Sequence, residues 1–171
     1  MHDFITLAHD RFSCRKFSDR PVEKIKIEKI IEAAIAAPTA CNNQAWYVWN
    51  VTDPISQKVV RASTHCHFDA PVLLVLGVLP EEAGECPSSG ITFADIDGGI
   101  VGAHILLAAR DLGLDALWVG DFHANVIQEA FTETDDYRLI GIFPIGYAAD
   151  DAAPSHLHFE RKAATEISME I

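Results

Sequence analysis

Residues 72–79, Val-Leu-Leu-Val-Leu-Gly-Val-Leu, constrain this chain more than any other segment. The run carries no charge and no hydroxyl, and its apolar residues do not alternate with polar ones. Such a short, continuous apolar stretch predicts a strand buried on both faces, in the middle of a covered sheet. Residues 137–147 predict a second strong strand, and Trp46 to Val51 a third. Ile27, Ile30, Ile31, Ala34 and Ile35 recur at helical spacing, with Glu23, Lys24, Lys26, Glu28, Lys29 and Glu32 on the polar face; Pro38 ends this helix. Residues 96–112 predict a long apolar helix closed by Gly113. Shorter helices are expected over 3–9, 54–62 and 123–131, and an extended piece over 116–119. Helices and strands mix without regular βαβ alternation, so the expected class is α+β, with helices packed around a central sheet. The 171 residues, 49% of them hydrophobic, suffice for one domain with one core, and no repeat or linker divides them. Residues 80–90, rich in Pro, Gly, Ser and Glu, read as a surface loop.

The formal net charge of −12 excludes the broad basic footprint that nucleic acid requires and disfavours an anionic membrane surface. Within this acidic chain Arg11, Arg15, Lys16 and Arg20 cluster. Such a cluster marks either a bound anion or a solvated, salt-bridged face. Asp3, His9 and Asp10 interrupt the N-terminus where a signal peptide would be apolar, and the longest apolar run, 70–79, contains Pro71 and is too short to span a bilayer. A soluble, cytoplasmic protein is expected, with Cys14, Cys41, Cys66 and Cys86 as free thiols. His65-Cys66-His67 could supply metal ligands, but zinc sites usually add a second spaced pair and none stands out, so no metal is expected.

Three constellations could carry chemistry. In Arg11-Phe12-Ser13-Cys14-Arg15-Lys16-Phe17 the two arginines lie at i and i+4, and a helix end or tight turn would point them to one side. Guanidinium groups bind phosphate oxygens bidentately and Ser13 adds a hydroxyl donor. Residues 37–46, Ala-Pro-Thr-Ala-Cys-Asn-Asn-Gln-Ala-Trp, form a polar loop between a helix and a strand. Thr39, Asn42, Asn43 and Gln44 there suit a ring with amide-like edges, or simply cap a turn. In Leu112-Gly113-Leu114-Asp115-Ala116-Leu117-Trp118-Val119-Gly120, Gly120 permits close backbone approach to a ligand, and Trp118 packs either on an aromatic cofactor or in the core.

Together these pieces resemble the nitroreductase family of FMN enzymes. Residues 11–17 look like that family's Arg-Arg-Ser-x-Arg-x-Phe start, and 37–46 resemble its Ala-Pro-Ser-x-x-Asn-x-Gln-Pro-Trp loop. Asp97-Gly98-Gly99, Leu112-Gly113-Leu114, Trp118-Val119-Gly120, the closing strand Ile142-Phe143-Pro144-Ile145-Gly146-Tyr147 and Arg161 follow in the matching order. The resemblance implies an α+β homodimer with a mostly antiparallel sheet and an FMN at each of two interface sites. It implies that Arg11, Ser13, Arg15 and Arg161 hold the ribityl phosphate end, and that Phe12 meets the ligand through its backbone. Pro38, Thr39, Ala40 and Asn42, beside Gln44, would come from the partner subunit. Trp118, Val119 and Gly120 would lie along the flavin with a backbone amide near N5. Helix 96–112, rich in Gly98, Gly99, Gly102 and Ala103, would be a close-packed dimer helix.

The expected reaction passes hydride from NAD(P)H through FMN to a nitroaromatic, quinone or similar acceptor, in ping-pong fashion. Residues 1–171 would form one such domain. A same-fold dehalogenation or biosynthetic dehydrogenation, or a non-catalytic flavin-binding protein, are the alternatives. No GxGxxG follows a strand, so a Rossmann nicotinamide site is not indicated. Ala45 replaces the usual Pro, which should loosen the loop before Trp46. Thr39 replaces Ser, and His104 stands where Asn is common.

Overall fold

The computed structural model describes residues 3–171. Its centre is the expected apolar run: β2 (Val72–Val78) lies between β1 (Trp46–Val51) and β4 (Arg138–Gly146), both antiparallel to it, and β3 (Asp115–Ala116) adds antiparallel to β4. The strand order is β1-β2-β4-β3, and all three pairings are antiparallel. Trp46 pairs with Val78 and Val51 with Leu73 on one side of β2, and Val72 with Ile145 on the other. The register slips at Leu76/Gly77.

The lack of alternation in β2 has a direct cause. Leu74 and Leu76, with Phe143 and Ile145 of β4, face α2 (Lys24–Ile35) and α5 (Ala94–Asp111). Leu73 and Val75, with Ile142, face the opposite layer, in which Val60 of α3 (Pro54–Ala62) and Ile127 of α6 (Ala124–Gln128) are buried. Helices on both faces leave no side of β2 in water, so neither side-chain set is polar. Two short helices escape the sequence pattern. The 80–90 loop begins with α4 (Pro80–Ala83), and the exposed C-terminal tail contains α7 (Ala164–Ile167). At the other end α1 (Phe4–Asp10) is capped by the Asp3 carboxylate, which accepts from Thr6 N at 3.3 Å.

The long helix α5 starts two residues earlier than expected and ends at Gly113, whose φ of 71° is a left-handed conformation that glycine adopts at no steric cost. Its small residues divide between two faces. Gly98 leaves room for Ile140 and Val78, and Gly102 for the Trp118 ring, so both pack inside their own subunit. Gly99 has nothing within 4 Å of where a Cβ would stand, and Ala103 is exposed. The small-residue stripe therefore does not lie on a single outer face. Among the described residues no helix is long and apolar enough to cross a membrane.

Candidate cofactor site

The basic segment begins where α1 stops. Arg11 follows the helix with extended backbone (φ −66°, ψ 125°), and the chain then runs along the free edge of β3. Ser13 bridges Ala116 in parallel, and Cys14 N donates to Ala116 O at 3.3 Å. Farther on, Ser18 N donates to Tyr147 O at 2.9 Å and Ala149 N to Lys16 O at 3.1 Å. Side chains alternate in such a strand. Phe12 and Cys14 point inward and are buried, and Arg11, Ser13 and Arg15 share the outer side. The arginines lie on one side, but through the two-residue period of extended chain rather than a helix end or turn.

On that side Arg11, Phe12, Ser13 and Arg15 line a pocket of about 210 Å³ with Ser155, Leu157, His158 and Arg161 from the C-terminal segment. The charges in it are unbalanced. Lys16 pairs with Asp151 at 2.6 Å and Arg20 with Glu23 at 3.2 Å, so those two cations are the solvated, salt-bridged face. Among the described residues Arg11, Arg15 and Arg161 form no salt bridge. Arg15 Nη1 donates to Ser13 O at 3.3 Å, and Arg161 Nη1 to Leu157 O and Glu160 O at 3.1 and 2.7 Å. Burial, followed by the like charge of Arg161, holds the Arg11 guanidinium below the usual arginine range. Three guanidiniums gathered without a carboxylate favour an anion with several oxygens, and a phosphate monoester fits that donor set.

The Pro38–Gln44 loop stands apart from this pocket and is held in a conformation of its own. Cys41, Asn42 and Gln44 have φ of 52°, 57° and 52°, an uncommon region for residues with a Cβ that recurs at functional sites. Three ties support it. Ala40 N donates to the buried carboxylate of Asp97 at 3.1 and 3.2 Å, Gln44 N to Thr39 Oγ1 at 3.1 Å, and Asn43 Nδ2 to Glu82 O at 3.1 Å. Asp97 lies near the start of α5, where the helix dipole favours a carboxylate. Ala45, expected to loosen the loop, is buried, and its carbonyl accepts from Leu79 N at 2.9 Å.

Trp118 is turned inward. Its ring lies against Gly102 and Gly141, Nε1 donates to Ile140 O at 3.1 Å, and Phe143 is 5.0 Å away between centroids. Val119 N is also occupied, donating to Ile142 O at 2.8 Å. Gly120 is exposed, and its amide has no acceptor among the described residues. His158, half of a His-x-His pair with His156, enters the arginine pocket, where its ring meets Phe12 edge-on at 6.5 Å. Ser155 and Leu157 gave no sequence signal. Among the described residues no three His, Cys, Asp or Glu side chains converge to hold a metal ion.

A family model described as the nitroreductase family matches residues 8–68 and 65–147. The chain belongs to that family. A Methanothermobacter thermautotrophicus protein, provisionally named NADH dehydrogenase/NAD(P)H nitroreductase, is 27% identical over 93% of this chain and 87% of its own length. A nitroreductase family protein from Clostridium difficile 630 is 31% identical and superposes with a TM-score of 0.89, covering 98% of each chain. A nitroreductase with bound FMN from Desulfitobacterium hafniense DCB-2 shares the fold at a TM-score of 0.79 and 21% identity, over all of both chains.

Proposed function

We propose that this protein is an FMN-dependent oxidoreductase that takes hydride from NADH or NADPH and reduces a nitroaromatic, quinone or similar acceptor in a ping-pong cycle. The observation that carries the reading is the set of three unpaired guanidiniums, Arg11, Arg15 and Arg161, around one small pocket beside the Ser13 hydroxyl. These residues fit the phosphate end of FMN. Nitroreductase family membership, and a same-fold neighbour solved with FMN, support the same cofactor.

When bound, FMN supplies the hydride- and electron-carrying chemistry. The chain's own residues supply the rest. Arg11, Arg15 and Arg161 bind and neutralise the phosphate, with Ser13 as a neutral donor and the Phe12 backbone against the ligand. Val119 and Gly120 lie along the ring, where the Gly120 amide is the available donor. Pro38, Thr39, Ala40, Asn42 and Gln44 serve the site of a second subunit, excluding water from the far side of the ring. Their separation from the arginine pocket of their own subunit supports a homodimer. So does an open apolar groove of about 720 Å³ along α5, lined by Phe4, Leu7, Ile96, Ile100 and Leu107 among others. Phe4 and Ile96 are 63% and 47% exposed there, and contiguous apolar surface of this kind marks an interface.

Titration of purified protein with FMN, followed by flavin fluorescence, tests the cofactor; binding at one FMN per chain is expected. Anaerobic stopped-flow mixing of the complex with NADH and with NADPH then tests the reaction. Loss of the flavin absorbance with at least one nicotinamide is expected, and a flavin that neither bleaches sinks the proposed activity.

A further inference from the structure

The two ends of the sheet carry different pockets. The arginine pocket lies past β3, where Ser13 bridges Ala116. A separate pocket of about 200 Å³ opens beside β1, between α3 and the segment that follows α6. In the order β1-β2-β4-β3, four strand spacings of ~4.8 Å separate Ser13 from β1, ~19 Å in all. The β1 pocket therefore stands apart from the three guanidiniums. Its floor is apolar, since Val60, Val75 and Ile127 line it and are buried. Two aromatic rings, Trp49 and Phe131, form its walls. An apolar, partly aromatic concavity with a few polar groups is the usual form of a small-molecule site.

The protein itself braces these walls. Trp49 is held edge-on to Tyr137 and tilted against Tyr47, each at 4.9 Å between centroids. Gln128 Nε2 donates to Thr134 O at 3.3 Å and to Tyr137 O at 3.1 Å, which fixes the turn carrying Phe131 and Glu133. Gln57 Nε2 ties α3 to Val51 O at 3.0 Å and to Pro71 O at 3.3 Å. A ligand entering so braced a slot has little ordering cost to overcome. The rim carries one sign of charge. Asp53 and Glu133 line the pocket and are exposed, and no Lys, Arg or His lines it. Neither carboxylate forms a salt bridge among the described residues. Asp53 caps α3, accepting from Ser56 N at 2.8 Å and Ser56 Oγ at 3.0 Å. Those bonds hold its carboxyl below the usual carboxylate range, so it stays charged at neutral pH. Aromatic walls over an apolar floor suit a ring, and a carboxylate rim selects a cation at its end. A volume of about 200 Å³ restricts the ligand to a single ring system with a short chain.

We infer that the β1 pocket binds a small arylalkylammonium ion, with its ring between Trp49 and Phe131 and its ammonium group at Asp53 and Glu133. The inference does not depend on the FMN reading. Its probe is 2-phenylethylamine, and 3-phenylpropionate is the anionic counterpart with the same ring and a similar chain. Methyl NMR follows both in titrations of the full chain, with and without added FMN. The ammonium probe should bind about tenfold more tightly than the carboxylate, as expected for one charge-assisted contact. Its ring protons should give nuclear Overhauser effects to the methyls of Val60, Val75 and Ile127, and FMN should not displace it. Asp53→Asn keeps a good helix N-cap, and Glu133→Gln changes an exposed position. The double variant should retain the native circular dichroism, bind 2-phenylethylamine about tenfold more weakly and lose the preference for the ammonium probe. The native titration needs no substitution and tests the site by itself. Absence of methyl shifts at ~10 mM probe, far above the range of a specific site, overturns the inference. So do ring contacts to other methyls, displacement by FMN, or an ammonium preference that survives in a folded double variant.

Discussion

Arg11 and Arg161 crowd two positive charges where no carboxylate relieves them, so the site gains most from a dianion. Arg11→Ala and Arg15→Ala should each weaken FMN binding roughly ten- to a hundredfold, since charge-assisted hydrogen bonds contribute about 1.5–3 kcal/mol; equal affinities in fluorescence titration would remove the phosphate site. Cys86 differs from the other cysteines. Hydrogen bonds from Ser88 and then Ser89 push its thiol down to about 6, so above that pH the thiolate dominates. Mass-spectrometric mapping after brief iodoacetamide treatment at pH 7.5 should find Cys86 modified well ahead of Cys14, which is fully buried and whose thiol burial pushes up. The preference for Cys86 should fade as the pH falls below about 6.

Elements were legible wherever burial alone writes the pattern. Residues 72–79 and 137–147 announce β2 and β4 because both layers of helices demand apolar side chains there. The strand expected over 116–119 becomes Asp115–Ala116 with a separate bridge at Val119, because Leu117 N donates to Pro144 O at 3.3 Å and Pro144 has no N–H to return the bond. The arginine face was legible in composition but not in conformation, since residues at i and i+4 share a side in a helix and in a strand alike. His158 and Ser155 were not legible as site residues, because the tail returns to Arg11 only in space. The inward face of Gly102 was equally hidden. Gly102→Ala should gain at most about 1 kcal/mol of helix propensity but sets a methyl against the Trp118 ring, which Gly141 confines from the other side. Overpacking of this kind costs about 1–3 kcal/mol, so a lower midpoint in denaturant unfolding is expected, and a raised one would contradict the packing.

At the scale of the whole molecule, the 38–44 loop does not line the arginine pocket of its own chain, and the proposed homodimer would join the two as halves of one site. Ile96→Glu places a charge on the open α5 groove. Because Ile96 is 47% exposed in the single chain, the substitution should change the folding of that chain by no more than about 0.5 kcal/mol. Light scattering should nevertheless show a monomer, and FMN affinity should fall with the dimer. A dimer that persists with native affinity would place the interface elsewhere.

The inward Trp118 has one more consequence, an optical one. Its indole is clamped by Gly102, Gly141 and Ile140 O, so its orientation is fixed, and it sits two residues before Gly120. Tryptophan emission overlaps flavin absorption, and energy transfer over so short a path is efficient. On the FMN reading, the packing that fixes this ring thus makes it a rigid built-in gauge of occupancy, whose emission should dim as each proposed site fills.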